Sequence, residues 1–303
     1  MSNVLVTGGA GFIGSHVVDA FIQKGFSVRV LDNLSTGRRT NLHPKAEFLL
    51  GDITNPSDVT RATQGIDLVC HLAAQASVVK SMEDPVFDAT TNTIGTLELL
   101  RQSLANGVKQ FIFTSTGGAI YGDPRYLPVD ERHPEQPVSV YGTSKLAAEK
   151  YIEFYGRQGL NYSILRLANV YGPRQDPFGE AGVIAIFLNS LLEGRSLDVY
   201  GDGSSSRDYV YVGDVAQALA ASADNPTNRA VNVGTSRETD LNSLITAMES
   251  VTGLTPTINY LPERPGEVRN TCLSASLAAE RLGWTPQVSL EEGLGQVWTW
   301  MKT

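Results

Sequence analysis

The segment Tyr141-Gly142-Thr143-Ser144-Lys145 sets a phenol and an ammonium four residues apart, and on a helix that spacing puts both on one face. The chemistry open to such a pair is proton transfer. An unperturbed tyrosine has a pKa of about 10, but a lysine charge about 4 Å away at an effective dielectric of about 20 is worth roughly 4 kcal/mol, or about three pKa units. A phenolate then becomes accessible near neutrality and can serve as a base. An ordinary amphipathic helix whose Tyr and Lys merely lie along its surface has the same spacing, so the pair takes its meaning from its surroundings.

The first surrounding feature is at the start of the chain. Ser2 to Thr7 is a short β-branched run, followed at once by Gly8-Gly9-Ala10-Gly11-Phe12-Ile13-Gly14 and a helical pattern through Val17, Val18, Phe21 and Ile22. The order strand, glycine turn, helix is that of a dinucleotide cradle, although the spacing is GxxGxxG and not GxGxxG. Gly8 permits a tight turn, Gly11 lets the backbone approach a pyrophosphate, and Gly14 lets helix and strand pack closely, with phosphates at the positive helix end. The next strand, Ser27 to Leu31, ends in Asp32, eighteen residues beyond Gly14, where an acid meets a ribose diol. A carboxylate there hydrogen-bonds the free hydroxyl of NAD and repels the extra phosphate of NADP, so NAD is the expected cofactor. Arg38 and Arg39 lie nearby in a polar stretch, Asn33 to Asn41, that also reads as a solvated loop.

Composition limits the rest. With 42% hydrophobic and 18% charged residues the chain is an ordinary globular protein, and its 303 residues suffice for one large core or two modest domains. A net charge of −8 argues against nucleic acid or an anionic membrane as the main partner. No apolar run reaches the length of about 18 residues needed to span a bilayer, and no charged, apolar and small-residue segment opens the sequence, so the expected location is cytoplasmic. Cys70 and Cys272 have no metal spacing and are read as free thiols. His16, His43, His71 and His133 are scattered without ligand spacing and are read as structural or surface groups, so no metal site is expected.

Strand patterns near 3–7, 27–32, 46–50, 67–72, 109–115 and 161–167 alternate with helical patterns near 12–24, 56–64, 85–106 and 141–156. Such alternation predicts parallel βαβ units: an α/β fold with a doubly wound parallel Rossmann sheet and ligands at the carboxyl ends of its strands. After about residue 168 prolines break the pattern into shorter elements. The expected division is a NAD-binding domain over 1–168, joined by parts of 209–235, and a smaller α/β substrate-binding lobe over most of 169–303.

The motifs Thr7 to Ser15, Asp32-Asn33, Gly51-Asp52-Ile53, His71-Leu72-Ala73-Ala74, Asn92-Thr93-Ile94-Gly95-Thr96, Ser115-Thr116, Tyr141 to Lys145 and Arg207-Asp208-Tyr209-Val210 occur in an order and spacing that resemble the extended short-chain dehydrogenase/reductase family. Within it the chain is similar to nucleotide-sugar 4-epimerases, from about residue 3 to about residue 300. The resemblance implies that Tyr141 exchanges a proton with the sugar 4-hydroxyl, that Lys145 lowers its pKa and holds the nicotinamide ribose, and that Thr116, or Ser115 in the alternative register, hydrogen-bonds the same oxygen. It implies a cofactor site of Gly8, Gly11, Phe12, Ile13, Gly14, Asp32, Asn33, Ser35, Gly37, Asp52, Ile53, Leu72, Ala73, Ala74, Gln75, Asn92 and Thr114, together with Tyr141 and Lys145.

For the substrate it implies Ser77, Ser115, Thr116, Asn169, Val183, Arg207, Tyr209, Arg264 and Glu267, with Arg207 and Arg264 clamping a diphosphate that a chain of net charge −8 must hold by specific donors. Gln75, Ser77, Tyr121 and side chains near Val183 are expected around the hexose. The implied reaction is 4-epimerisation of a UDP-sugar, UDP-glucose to UDP-galactose, with retained NAD, in a homodimer built on the helices near 85–106 and 141–156. Epimerisation of UDP-N-acetylglucosamine or a UDP-uronic acid stands beside it. A 4,6-dehydratase needs an acid just after the hydroxyl residue, where this chain has Gly117-Gly118; a reductase of a small carbonyl would share the fold alone.

Overall fold

A computed structural model describes residues 2–178, 182–263 and 268–303. The opening run forms β1 (Asn3–Thr7), buried from Val4 onward, and the glycine turn leads into α1 (Phe12–Gln23), which buries Val17, Val18 and Phe21. Then come β2 (Ser27–Asp32), β3 (Glu47–Leu50), α2 (Pro56–Thr63) and β4 (Leu68–His71). The start of α2 is set by the Asn55 side chain, which accepts from the Ser57 N–H, and by a proline in the first turn, where no intrahelical donor is lost.

One helix was expected over 85–106. The structure instead has α3 (Val78–Glu83), α4 (Pro85–Ala89), a π-helical turn at Thr90–Ile94, and α5 (Gly95–Ala105). The turn is widened around Asn92, whose amide bonds to the backbone of Gln75, while Thr96 Oγ1 donates back to the Asn92 carbonyl at 2.6 Å. Long-range side-chain bonds have overridden the regular ladder, and π turns of this kind occur often at functional sites.

The chain continues through β5 (Gln110–Thr116), α6 (Gly117–Ile120), α7 (Val140–Gly156) and β6 (Asn161–Leu167). The looser remainder comprises β7 (Asn169–Tyr171), α8 (Val183–Leu192), β8 (Leu197–Tyr200), β9 (Ser206–Arg207), β10 (Tyr209–Tyr211), α9 (Val212–Asp224), β11 (Ala230–Val233), β12 (Thr239–Asp240), α10 (Leu241–Thr252), β13 (Ile258–Leu261), α11 (Ser276–Leu282) and α12 (Leu290–Met301).

Seven strands form the central sheet in the order β11-β6-β5-β4-β1-β2-β3, every neighbouring pair parallel. This is the doubly wound Rossmann arrangement. The strand β11 returns from the second half of the chain to extend the sheet beside β6. One apolar core includes Val17, Phe21, Leu219 and Val231, and another includes Leu99, Phe111, Ala148 and Ile152, so helices cover the sheet on both faces.

A third core joins Ile184, Leu188, Val199, Leu244, Met248 and Leu294 in the remaining lobe, where β7 pairs with β10, β8 with β13 and β9 with β12. Asp208, buried between β9 and β10, ties the lobe together: its carboxylate accepts from Thr235 N and Oγ1 and from Leu273 N. Among the described residues no helix is long and apolar enough to cross a membrane.

The order of the sheet reverses at β1, which has β4 on one side and β2 on the other. Thr7 ends β1 directly opposite His71 at the end of β4. Connections leaving these ends diverge to opposite faces, and the crevice they leave is where open α/β sheets take ligands.

Candidate active site

Gly8 follows the last residue of β1 at φ 71°, a conformation that L side chains rarely adopt, and a Cβ there would meet the Ala73 nitrogen at 2.7 Å. At Gly14 a Cβ would stand 2.0 Å from the Gly8 carbonyl oxygen. The turn is thus packed against the start of α1 without room for side chains. Gly11 caps α1 with no side-chain acceptor and no acid in the first turn, which leaves the helix's N–H groups and positive end directed at the crevice. These features fit the diphosphate of a dinucleotide. Phe12 and Ile13, next in line, pack partly against the core of the other lobe.

Asp32 accepts from the Ala10 N–H at 2.9 Å and the Leu34 N–H at 2.8 Å. Two acceptor positions of an ionised carboxylate are thereby used, out of about four, and the remainder suit a ribose diol. Leu34 is held at φ 58°, a strained conformation for a branched side chain and one that tends to occur at ligand sites. Arg38, which could have favoured a 2′-phosphate, pairs with Asp176 at 2.7 Å, and Arg39 lies over the Phe48 ring at 4.9 Å. Both cations have other partners, as the reading of NAD requires. Asn33 donates to Asp52 at 2.8 Å and accepts from the Ser35 N–H, Gly37 packs on Ala10, and Ile53 packs against Gly95.

On the other side of the crevice Leu72, Ala73 and Ala74 are half-buried. Ala73 N donates to Thr7 Oγ1, which contacts His71 Nδ1 at 2.6 Å, and His71 Nε2 reaches Thr96 Oγ1 at 2.9 Å. Because Thr96 gives its proton to the Asn92 carbonyl, it accepts from Nε2–H, and Nδ1 accepts from Thr7. Burial and the Lys145 charge push the imidazole down to about 3, so it is neutral. His71 is therefore the structural group the sequence indicated.

The reacting groups come from β5 and α7. Ser139 Oγ accepts from the Gly142 N–H and fixes the start of α7, so that Tyr141 lies in its first turn and Lys145 one turn on. Ser81 Oγ accepts from the Tyr141 N–H. The Tyr141 hydroxyl hydrogen-bonds with the Thr116 side chain. Ser115 Oγ is instead buried without a partner among the described residues, so the geometry favours Thr116 in the role for which both were considered. Thr114 Oγ1 donates to the His71 carbonyl at 3.2 Å.

The electrostatics correct one expectation. The phenol is not brought toward neutrality by its lysine: burial first, then the Asp88 charge, push it up to about 12, with only the Thr116 hydrogen bond opposing them. The physical reason lies in Lys145, which is itself buried, with Nζ 4.0 Å from the centre of the Phe113 ring. Burial pushes the ammonium down to about 7, against the pull of Glu149 and Asp88. Burial is the largest influence on both groups, and the charges that act on them are those of Asp88 and Glu149.

Asn92 is buried and bonds to Gln75 N, Gln75 O, Asp88 Oδ2 and Ser144 Oγ at 2.8 to 3.2 Å, so it organises the floor of the site through the backbone. The Gln75 amide is occupied within the protein, giving to the Ser77 carbonyl and Asp88 and accepting from the Ser77 N–H, while Ser77 Oγ caps α3. The Tyr121 hydroxyl, expected near the hexose, instead turns inward to Asn232 at 2.7 Å and Arg166 at 3.0 Å. Arg166 is buried and also bonds to Glu149 and Glu135, and that ion cluster holds Tyr121 away from the crevice.

In the second lobe Asn169 is exposed in β7, and Val183 begins α8. Arg207 and Tyr209 are half-buried; one Arg207 nitrogen donates to the Ser206 and Arg269 carbonyls, both at 2.9 Å. Arg264 and Glu267 lie outside the described residues. Among those described, no cluster of His, Cys, Asp or Glu could hold a metal ion.

Two buried acids near Lys145 were missed from sequence. Glu149 continues the Tyr141–Lys145 face at the next four-residue step, and Asp88 stands four before Asn92. Their spacing was a usable signal.

Fold, glycine cradle, ribose-binding acid and Tyr-Lys pair together define a nicotinamide-dependent enzyme, and the family is shown by comparison. The sequence model of the NAD dependent epimerase/dehydratase family matches residues 4–234, and the chain belongs to that family, the extended branch of the short-chain dehydrogenase/reductases. It is 46% identical to a putative UDP-glucose 4-epimerase of Methanocaldococcus jannaschii, over 99% of this chain and 98% of that one.

Among solved structures, UDP-glucose 4-epimerase of Thermotoga maritima with UDP-glucose superposes with a TM-score of 0.96 at 47% identity, covering 99% and 98% of the two chains. A UDP-N-acetylglucosamine 4-epimerase of Methanobrevibacter ruminantium, in complex with UDP-N-acetylmuramic acid, gives 0.95 at 34% identity with the same coverage. The cofactor of this chain is NAD.

Proposed function

We propose that this chain is a UDP-sugar 4-epimerase and that it interconverts UDP-glucose and UDP-galactose. The observation that carries this reading is the Tyr141–Thr116 hydrogen bond set beside two glycines. Two hydroxyls converge where a sugar hydroxyl must lose its proton, and the two residues that follow Thr116 are glycines, not acids. At Gly117 a Cβ would lie 2.3 Å from Leu273 Cδ1, so an acidic side chain there would require Leu273 to move. Gly118 has open space but no side chain. Elimination of a 6-hydroxyl lacks its proton donor, and the oxidised sugar is left to be reduced again.

NAD, when bound, accepts the hydride of sugar C4 and returns it. The protein's share is the rest. Tyr141 takes the 4-hydroxyl proton and gives it back, Thr116 holds the same oxygen in line, and the buried site keeps water from the 4-keto sugar between the two transfers. The phenol must first be brought down from about 12, and the positive nicotinamide ring is a charge of the right sign for that. Arg207, with Asn169 and Arg264, is assigned to the nucleoside diphosphate; holding that half firmly and the hexose loosely allows the keto sugar to present its other face.

The identity of the hexose is tested directly by incubating the purified protein, with no added NAD, with UDP-galactose, UDP-N-acetylglucosamine and UDP-glucuronic acid and separating the products. UDP-galactose is expected to approach a mixture with UDP-glucose. Turnover of the N-acetylated sugar with UDP-galactose untouched would transfer the assignment to the second substrate, which the Methanobrevibacter relative keeps in view.

The homodimer reading is supported by exposed apolar side chains on α4, α5 and α7: Val86 at 73%, Phe87 at 55%, Leu104 at 39% and Phe154 at 53% exposure. These are large groups to leave in water on neighbouring helices, and we assign them to a homodimer. Light scattering on a sizing column is expected to give twice the 32.7 kDa chain mass. A mass of one chain at micromolar concentration would exclude this arrangement.

A further inference from the structure

Beneath the first turns of α7 lies an acid to which the reaction has given no part. Asp88 is completely buried in α4. Its Oδ2 accepts from Gln75 Nε2 at 2.8 Å and Asn92 Nδ2 at 3.0 Å, and its Oδ1 has no hydrogen-bond partner among the described residues. A buried carboxylate with an unpaired oxygen is costly, and a chain that needed only packing would do better with an amide or an apolar side chain there.

The groups that Asp88 does hold lead to the reacting pair. Asn92 Nδ2 passes on to Ser144 Oγ at 3.2 Å, and Ser144 Oγ donates to the Tyr141 carbonyl at 3.0 Å. Thr93 Oγ1 donates to the Ser144 carbonyl at 3.1 Å. The first turn of α7 therefore rests on a polar floor whose orientation is set by one carboxylate oxygen.

The geometry points to Asp88 as a positioning residue for the Tyr141–Lys145 pair, acting through the Asn92 and Gln75 amides and through its buried negative charge. This rests on the reading of Tyr141 as the proton-exchanging group. The charged and titratable groups around the pair are few. On α7 they are Tyr141, Lys145 and Glu149; from β4 comes His71, which is neutral; α3 contributes only Lys80 and Glu83, both exposed; on α5 Glu98 is taken up by Arg101; and from β6 comes Arg166, which is paired with Glu149 and Glu135. Asp88 and Glu149 are thus the two buried acids whose charges favour the ammonium form of Lys145, and Asp88 also favours the protonated phenol. The same charge serves the two partners in opposite ways: it retains the lysine's cation and restrains the tyrosine from releasing its proton too early.

The test uses NAD-loaded protein with Asp88→Asn, which keeps shape and removes charge, and Asp88→Glu, which keeps charge and alters shape. Two readouts are taken. One is the pH profile of turnover. The other is the titration of tyrosinate absorbance in each background, from which the titration of its Tyr141→Phe derivative is subtracted, so that Tyr141 alone is seen. In Asp88→Asn both transitions are expected to move to lower pH by about one unit, the order expected from removing one charge at an effective dielectric of about 20. KM should change little.

Asp88→Glu should retain the wild-type transitions whatever its kcat. Unmoved transitions in Asp88→Asn would overturn the proposal, and so would an equal displacement in both variants, which would mean packing and not charge. The tyrosinate titration needs no sugar. If the protein turns over a different substrate, or none, the epimerase reading fails while the role of Asp88 is still decided.

Discussion

Tyr141→Phe is expected to bind NAD and UDP-sugar as the parent does and to lose turnover by at least about a hundredfold, the lower range for removal of a general acid–base group. The substitution deletes one oxygen. The helix start is held by Ser139 and by Ser81, which bonds to the Tyr141 backbone and not to its ring, so α7 should stay in place. The NAD diphosphate and ribose are assigned to the glycine turn and Asp32, on other elements of the sheet. What disappears is the hydroxyl that Thr116 meets. Near-normal turnover in a variant with full cofactor occupancy would remove Tyr141 from the reaction.

Much of this arrangement could be read from residue order. The first strand, the glycine turn and the acid at the end of the second strand are local features, each recognisable within a few residues, and the structure places them together because parallel βαβ connections leave little choice. The Tyr-Lys pair was legible for the same reason, since both groups lie on one helix face.

Features that depend on distant partners were not legible. The helix through Asn92 looks continuous by periodicity; it opens into a π turn because Gln75, seventeen residues away in the chain, takes up the Asn92 amide. Tyr121 was expected in the pocket and instead points to Asn232 and Arg166. The Lys145 charge was expected to act on the phenol, and its own burial intervenes. In the second lobe β9 and β12 have only two residues each. Such short runs leave no periodicity to find, and their pairing is fixed by long-range contacts such as those of Asp208.

The central claim is that one closed site removes the hydride from sugar C4 and returns it to the other face of the same molecule. It is tested most directly with UDP-galactose carrying deuterium at C4, incubated with the protein in ordinary water and without added NAD. The UDP-glucose formed should retain the deuterium at C4, with no accumulation of NADH, because the hydride never meets solvent and the proton exchanged by Tyr141 is bound to oxygen. Product without the label, a 4-keto-6-deoxy sugar, or NADH released in proportion to sugar consumed would contradict the account.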